Sequence, residues 1–214
     1  MEHNIGHLRK SYEQDQLRLQ DIGDDPIAFF HLWMNAAQQH PQIEEANAMS
    51  LATVDSNGRP HTRVVLLKAY DAEGFVFYTN HNSQKGRAMA QNPKVCLSFF
   101  WPALERQVRI NGSITMVDVP TATAYFETRP RGSQLGAHAS NQSQEISDPS
   151  ELEKNLKVLE ARFAGRSVPM PKHWGGYLVK PDEIEFWQGR PNRLHHRVRC
   201  RLVDQKWNMS YLAP

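Results

Sequence analysis

Short strand-like segments separated by turn residues constrain the fold of this chain more than any other feature of its sequence. Turn residues interrupt the pattern, as in Ser56–Gly58 and Asp71–Gly74. Short strands joined by tight turns, with helices inserted between them, are typical of an antiparallel β-barrel flanked by helices, so we predict an α+β fold. The strand-like segments are Met49–Asp55, Arg63–Tyr70, Phe75–Thr79, Lys94–Trp101, Arg106–Met116 and the stretch Trp174–Tyr211.

Helix signals lie between these segments. Asp25-Pro26 is a favourable helix start, because Asp caps free backbone N–H groups and Pro is tolerated at the first helical position. Apolar residues then recur at helical spacing until His40-Pro41. Similar signals predict helices over Ser83–Gln91 and Pro120–Thr128, and Asp148–Glu151 resembles a capping box that opens a further helix.

The length and composition predict one domain in the cytoplasm. The 214 residues suffice for a single α+β domain, which we place at 22–214 after a polar N-terminal arm at 1–21. The apolar runs, such as Phe75–Tyr78, fall far short of the roughly 20 residues that span a bilayer. The first 15 residues lack a signal-peptide pattern, and the two cysteines are far apart. We therefore predict a cytoplasmic location and no membrane partner.

The net charge of +2 is too small to indicate a nucleic-acid partner by itself. Charge is nevertheless uneven, because residues 186–203 contain no carboxylate. This stretch is either a local anion site or a basic surface. Its arginines are Arg190, Arg193, Arg197, Arg199 and Arg201.

Several common catalytic patterns are absent from the sequence. It contains no glycine-rich nucleotide loop, no His-Glu-x-x-His, no nucleophile elbow and no Cys-x-x-Cys. A dinucleotide-dependent dehydrogenase or a zinc hydrolase is therefore disfavoured.

Two groups of cationic and hydroxyl side chains are candidate anion sites. Arg63 and Lys68 flank a β-branched run, and Ser83 with Lys85 opens a predicted helix, where backbone N–H groups attract phosphate. Each also has an ordinary structural interpretation, as a strand-end cation or a helix cap. The second group contains Tyr125, Arg129, Arg131 and Ser133; Tyr125 and Arg129 are four residues apart, which predicts one helix face or a solvated helix end.

A third group combines aromatic residues with Arg and His. Phe186-Trp187 precedes Arg193–Arg197, and such residues can stack on a flat ring and neutralise phosphates. The His195-His196 pair lacks nearby acidic or thiol ligands, so we predict no metal site. The remaining tryptophans, Trp33, Trp101, Trp174 and Trp207, are interpreted as core or interface residues.

Taken together, the motifs resemble those of the pyridoxine/pyridoxamine 5′-phosphate oxidases along essentially the whole chain. In order, they are Arg63–Lys68, Phe77–Asn80, Glu105–Val108, Arg129–Gln134, Ile184–Gly189, Arg193–His195 and the terminal Leu212–Pro214. The resemblance implies a split β-barrel homodimer that binds FMN at the subunit interface. It implies FMN contacts at Arg63, Val64, Val65, Leu66, Leu67, Lys68, Tyr78, Thr79, Lys85, Gln107, Gln142, Ser143, Trp187 and Arg197.

The resemblance also implies a substrate site and a reaction. The phosphorylated B6 vitamer would be oxidised with oxygen as acceptor, and Arg193 and His195 would be catalytic. The substrate contacts would be Arg9, Lys10, Ser11 and Tyr12 of the arm, the phosphate set Lys68, Tyr125, Arg129 and Ser133, and Arg193, Leu194 and His195. Two positions depart from the family pattern: Gln84 replaces an arginine found in some relatives, and His196 replaces an acidic or amide residue.

Three other functions remain open at this point. A related flavin oxidase could act on another aromatic substrate, as in phenazine assembly, although the phosphate set argues against it. A non-catalytic carrier of flavin or pyridoxal phosphate would bind FMN without producing peroxide. A nucleic-acid binder would use the arginine-rich stretch from Arg190 to Arg201.

Overall fold

The computed structural model describes residues 3–214, so Met1 and Glu2 of the predicted arm lie outside the described residues. The helices are α1 (Leu19–Ile22), α2 (Pro26–Gln39), α3 (Gln84–Gln91), α4 (Val119–Thr128), α5 (Arg131–Ala139) and α6 (Ser150–Arg162). The strands are β1 (Ala48–Val54), β2 (Pro60–Leu66), β3 (Ala69–Asp71), β4 (Gly74–Asn80), β5 (Lys94–Trp101), β6 (Arg106–Met116), β7 (Trp174–Gln188), β8 (His196–Val203) and β9 (Lys206–Leu212).

The strands follow the order β2-β1-β5-β6-β7-β4-β3, and β8 pairs with both β7 and β9. Pairing is antiparallel between β3 and β4, between β4 and β7, and along β7, β8 and β9. Helices and an antiparallel sheet in one chain confirm the predicted α+β class. No helix within residues 3–214 has both the length and the apolar character needed to cross a membrane.

Local signals in the sequence explain why the helices begin where they do. The Asp25 carboxylate accepts hydrogen bonds from the backbone N–H groups of Ile27 (2.8 Å) and Ala28 (3.2 Å), with Pro26 as the first residue of α2. Asp118 caps α4 in the same way through the N–H of Thr121 at 2.9 Å. These contacts satisfy donors that a helix start would otherwise leave free.

Two of the predicted details are wrong, and one helix was not predicted. The segment Arg63–Tyr70 is not one strand, because β2 ends at Leu66 and β3 begins at Ala69. Tyr125 and Arg129 do not share a helix face: α4 ends at Thr128 and Arg129 is extended. Pro130 explains this end, because a proline disfavours helical backbone at the residue before it. The helix α5 was not predicted.

The backbone divides into two compact units. The arm unit comprises the described residues up to Ser50 together with Cys96–Asn111 and Pro181–Pro214, and the cleft unit comprises Leu51–Val95 and Gly112–Lys180. Strands β1, β5, β6 and β7 each contribute residues to both units. The division predicted from sequence, an arm at 1–21 and one domain at 22–214, stays a prediction.

Each unit has its own buried aromatic core. In the arm unit, Phe30 packs against Phe99 and Trp101 with ring centroids 5.2 Å and 6.4 Å away, and Trp101 Nε1 donates to the Ala46 carbonyl at 3.0 Å. In the cleft unit, Phe126 and Trp174 form a buried cluster with Leu135 and Val168, and side chains of α6 pack at its edge. The residues of α6 that pack there, Leu156 and Leu159, are therefore only partly buried.

Candidate active site

A cleft of about 890 Å³ lies within the cleft unit and collects most of the residues predicted to bind cofactor and substrate phosphate. Strands β2 and β4 and helices α3, α4 and α5 supply its walls. The predicted residues that line it are Arg63, Val64, Val65, Leu66, Lys68, Tyr78, Thr79, Lys85, Tyr125, Arg129, Ser133, Gln142 and Ser143.

The cleft lining carries four cationic side chains and, among the described residues, no carboxylate. The cations are Arg63, Lys68, Lys85 and Arg129. Cations that are gathered in a concave site without acidic partners repel one another, so such a site favours an anionic ligand. This charge pattern is the main chemical property of the cleft.

Lys85 lies at the start of α3 and is buried, with 9% of its surface exposed. Its ammonium contacts three neutral oxygens, Gln142 Oε1 at 2.8 Å, Thr79 Oγ1 at 3.2 Å and Ser83 Oγ at 3.4 Å. Burial, with a further contribution from the charge of Arg63, lowers the pKa of Lys85 to about 8. An anion beside this ammonium would reverse that shift.

Ser83 itself is a helix cap. Its hydroxyl accepts from the N–H of Gly86 at 3.2 Å and donates to the Asn80 carbonyl at 2.7 Å. Gly86 is required here, because a Cβ would lie 2.1 Å from the His81 carbonyl oxygen. The structural interpretation of Ser83 is therefore correct, and Lys85 is the member of the pair that lines the cleft.

Arg63 is held in place from one side. Its Nη1 donates to the Thr53 hydroxyl at 2.7 Å and to the carbonyls of Leu51 and His61, both at 3.1 Å. These three acceptors fix the guanidinium plane and leave its remaining N–H groups for a ligand. Burial lowers the pKa of Arg63, so desolvation of this cation is not offset by a carboxylate.

Arg129 lies against an aromatic stack at another part of the lining. Its guanidinium carbon is 4.6 Å from the ring centroid of Trp174, and Tyr78 stacks on Tyr125 with centroids 4.0 Å apart. The Nη1 atom of Arg129 is buried and has no hydrogen-bond partner in the described chain. A buried guanidinium donor without an acceptor is costly, which favours a bound anion at this position.

The residues that line the cleft differ in part from those predicted from the sequence. Trp174, interpreted as a core or interface residue, is buried and also lines the cleft. Leu67, predicted to contact the cofactor, is buried and outside the lining. No motif in the sequence indicated the further lining residues Thr62, Gly136, Ala137 and Ser140.

The arm unit holds the other predicted residues, among them an aromatic cluster. The rings of Trp187 and His195 have centroids 4.7 Å apart, and the ring of Tyr12 contacts both edge-on, at 5.7 Å and 5.6 Å. This places one predicted arm residue directly against the predicted catalytic histidine. The remaining predicted residues of this unit are Arg9, Lys10, Ser11, Gln107, Arg193, Leu194 and Arg197.

His195 is oriented by the backbone. Its Nδ1 accepts from the N–H of Arg190 at 3.1 Å, so in the neutral ring Nε2 carries the proton and acts as a donor. Burial, together with the charge of Arg193, lowers the pKa of His195 and favours this neutral form. Arg193 is exposed and has a left-handed backbone (φ 61°), an uncommon conformation for a non-glycine residue that occurs at functional sites.

Arg197 is paired with a carboxylate. Its Nε lies 2.8 Å from Glu185 Oε1 and its Nη1 donates to the Ala213 carbonyl at 2.7 Å. Glu185 also meets Arg109 at 3.3 Å. His196, one of the two departures, accepts from the N–H of Leu17 at 3.2 Å, while Gln84, the other, is exposed at the cleft.

Two family models match the sequence. The model described as pyridoxamine 5′-phosphate oxidase covers residues 36–163, and the model described as the pyridoxine 5′-phosphate oxidase C-terminal dimerisation region covers residues 174–214. The chain belongs to the pyridoxamine 5′-phosphate oxidase family. This membership confirms the resemblance found in the sequence motifs.

Relatives of similar length support the assignment to the pyridoxamine 5′-phosphate oxidase family. A pyridoxine/pyridoxamine 5′-phosphate oxidase of Christiangramia forsetii is 49% identical over 214 residues, which is 100% of both chains. One of Pseudomonas entomophila is 49% identical over 215 residues, again 100% of both chains. The protein is therefore an oxidoreductase, its family implies flavin binding, and the dimerisation region implies a homodimer.

Solved structures confirm the predicted split-barrel fold. PhzG from Burkholderia lata, in complex with tetrahydrophenazine-1-carboxylic acid, has a TM-score of 0.87 and 28% identity, covering 94% of this chain and 100% of that one. A pyridoxamine 5′-phosphate oxidase-related, FMN-binding protein from Nostoc punctiforme has a TM-score of 0.70 at 16% identity, covering 90% of this chain and 100% of that one.

Proposed function

We propose that this protein oxidises pyridoxine 5′-phosphate and pyridoxamine 5′-phosphate to pyridoxal 5′-phosphate. FMN is its cofactor, oxygen is the final acceptor and hydrogen peroxide is released. The observation that carries this proposal is the cleft lined by four cations and no carboxylate among the described residues. Two pyridoxine/pyridoxamine 5′-phosphate oxidases that are 49% identical to this protein over the whole chain support it.

The cations of the cleft suit two phosphate groups. Lys85, Arg63 and Thr79 offer donors to the phosphate of FMN, and Arg63 adds the planar fork that matches phosphate oxygens. Tyr125, Arg129 and Ser133 offer a separate set for the substrate phosphate, and Lys68 lines the same cleft. The orphaned Nη1 of Arg129 supports an anion at the second position.

FMN supplies the acceptor for the two electrons that leave the carbon bearing the hydroxyl or amino group. The residues of the chain bind and orient the flavin and the substrate. Gln107 presents an amide that can both donate and accept, which suits the edge of the flavin ring. His195 presents its Nε2 donor, so in this tautomer it orients the substrate rather than removing a proton.

We further propose a cytoplasmic homodimer with FMN at the subunit interface. Arg199 Nε, in the region matched by the dimerisation model, is buried without an acceptor in the described chain. A partner subunit could supply that acceptor.

A second candidate function is oxidation of a tricyclic aromatic acid, favoured by the similarity to PhzG from Burkholderia lata. The substrates of the two candidate functions differ in their anionic group and in their size. A phosphate monoester suits an arginine with a buried free donor, whereas a tricyclic ligand needs a wider apolar surface.

Oxygen uptake by the FMN-loaded protein tests the proposal. We expect pyridoxine 5′-phosphate and pyridoxamine 5′-phosphate to be oxidised with stoichiometric peroxide, and unphosphorylated pyridoxine to be a poor substrate. Oxidation of a tetrahydrophenazine carboxylic acid, with no turnover of either phosphate ester, would favour the second candidate. FMN binding without peroxide from any of these compounds would identify a carrier.

A further inference from the structure

Glu105 is a buried carboxylate that the proposed reaction leaves without a role. It lies in the turn between β5 and β6, with 2% of its surface exposed and a left-handed backbone at φ 55°. A buried carboxylate and an unfavourable backbone conformation at one residue are both costly. Its partners show what offsets this cost.

All three side-chain partners of Glu105 come from the N-terminal arm. Oε2 accepts from the N–H groups of Glu13 at 2.8 Å and Gln14 at 3.1 Å, and Oε1 lies 3.1 Å from Lys10 Nζ. Burial opposes ionisation of Glu105 most strongly, yet these donors outweigh it and lower the pKa of Glu105. The carboxylate therefore binds the arm as an anion.

The same turn also fixes the surface on which the arm lies. The Glu105 carbonyl accepts from the N–H of Gly189 at 2.7 Å. A Cβ on Gly189 would lie 2.8 Å from Tyr12 Cγ, so the absence of a side chain there lets the arm approach closely. Tyr12, between the residues that Glu105 holds, then contacts the rings of Trp187 and His195.

We propose that Glu105 is a positioning residue that latches residues 10–14 of the arm and thereby places Tyr12 on the Trp187–His195 pair. The part of this inference that concerns turnover rests on the proposed function. Glu105 touches neither reacting atoms nor cofactor in this role. It acts through Tyr12, whose ring packs edge-on against that of His195.

Limited trypsin digestion followed by mass spectrometry tests the latch without any substrate. Arg9 and Lys10 are trypsin sites within the arm, and Arg166, in a turn of the cleft unit, is an internal control site. Glu105→Gln keeps the shape of the side chain and removes its charge. We expect cleavage at Arg9 and Lys10 to be roughly ten- to a hundredfold faster, and cleavage at Arg166 to be unchanged.

Two further variants separate the latch from general destabilisation. Lys10→Met removes only the ion pair and should speed cleavage at Arg9 less than Glu105→Gln does. Glu73→Gln removes a carboxylate 3.9 Å from Lys180 at the surface of the cleft unit and should leave arm cleavage unchanged. Equal arm cleavage in wild type and Glu105→Gln, at equal melting temperature, would overturn the latch.

Steady-state kinetics of the FMN-loaded variants test the positioning role. If the latched arm retains substrate, Glu105→Gln should raise KM for pyridoxine 5′-phosphate by about tenfold and change kcat by less than about twofold. A released arm with an unaltered KM would refute the positioning role. If the wild-type protein oxidises no phosphate ester at all, the proposed function fails while the digestion result stands by itself.

Discussion

The cations that line the cleft differ from several cations of the arm unit in whether they form ion pairs. In the arm unit, Arg106, Arg109, Arg197 and Arg201 each lie within 3.3 Å of a carboxylate, and Lys10 within 3.1 Å of one. In the cleft unit, Arg63, Lys85 and Arg129 form no ion pair with any described residue, and burial lowers the pKa of each. The first set is paired within the chain, whereas the second set has no carboxylate partner among the described residues.

This difference explains why net charge says so little about the protein. A total of +2 does not reveal a cleft that is lined by four cations without a carboxylate from the described residues. Unpaired buried cations are unfavourable in the free protein, and binding of a dianion removes that cost. Cations without internal partners therefore identify the ligand site better than their number does.

Among the substitutions that test this difference between cations, Arg129→Ala should have the largest effect. It removes the buried, unpaired donor and should lower kcat/KM for pyridoxine 5′-phosphate roughly ten- to a hundredfold, as expected for loss of a charge-assisted hydrogen bond. FMN content should stay constant, because the FMN phosphate is assigned to Lys85 and Arg63.

Arg131→Ala is the matched control for Arg129→Ala. Arg131 donates to the carbonyls of Phe163 and Arg166 and does not line the cleft. It should leave kcat/KM within about twofold of wild type. Loss of FMN from Arg129→Ala, with KM for the substrate unaltered, would show that the two phosphate positions are assigned the wrong way round.

Lys85 should make the binding of FMN depend on pH. Its pKa of about 8 means that it is charged below pH 8 and loses its proton above it, so attraction for phosphate weakens as pH rises. The FMN dissociation constant should increase between pH 8 and 9.5, by at most about tenfold per unit, with proton uptake on binding.

Lys85→Arg is the control for this pH profile, because arginine stays protonated throughout. A fluorescence titration of FMN against both proteins at pH 7 to 9.5 measures the difference. The dissociation constant of the variant should be nearly constant over this range. A wild-type constant that is equally flat would mean that Lys85 does not face the phosphate.

Alternation, turns and caps are local signals, so they allowed the fold class to be predicted, whereas most cleft residues were predicted from the resemblance to the pyridoxine/pyridoxamine 5′-phosphate oxidases. Asp25 and Asp118 cap helices as their types suggest. Residue types alone do not show which arginines form an ion pair within the chain. Arg129 and Arg197 look alike in sequence, yet one is an orphan in the cleft and the other is bound to Glu185.

The roles that were not predicted from the sequence depend on contacts between residues that are far apart in the chain. Trp174 lines the cleft because Arg129 and Tyr78 come to lie against it, 45 and 96 residues away in sequence. Glu105 holds the arm across a separation of 91 and 92 residues. No local pattern encodes such distances, so neither role was visible before the structure.

The adjacent histidines of the arm unit, His195 and His196, should differ in how strongly their substitution lowers kcat. His196 Nδ1 accepts from the Leu17 backbone, and an asparagine oxygen can replace that acceptor, so His196→Asn should change kcat by less than about tenfold. His195→Asn should cost more, because it shortens the donor that His195 presents. One assay of both variants at saturating substrate and equal flavin content compares them. A larger loss of kcat in His196→Asn than in His195→Asn would show that His196, and not His195, has the role assigned here to His195.

Arg201→Ala should have the smallest effect and completes the comparison with Arg129→Ala. Its guanidinium lies 2.8 Å from Glu183, but 57% of its side chain is exposed, so water screens the pair. Exposed ion pairs contribute about 0–1 kcal/mol, which corresponds to a fall in melting temperature of at most about 4 °C. FMN affinity and kcat/KM should equal those of wild type, because this cation is already paired within the chain. Thermal melting and an FMN titration of the same sample measure both quantities. A loss of FMN affinity here as large as that of a cleft variant would mean that pairing within the chain does not distinguish structural cations from ligand-binding ones.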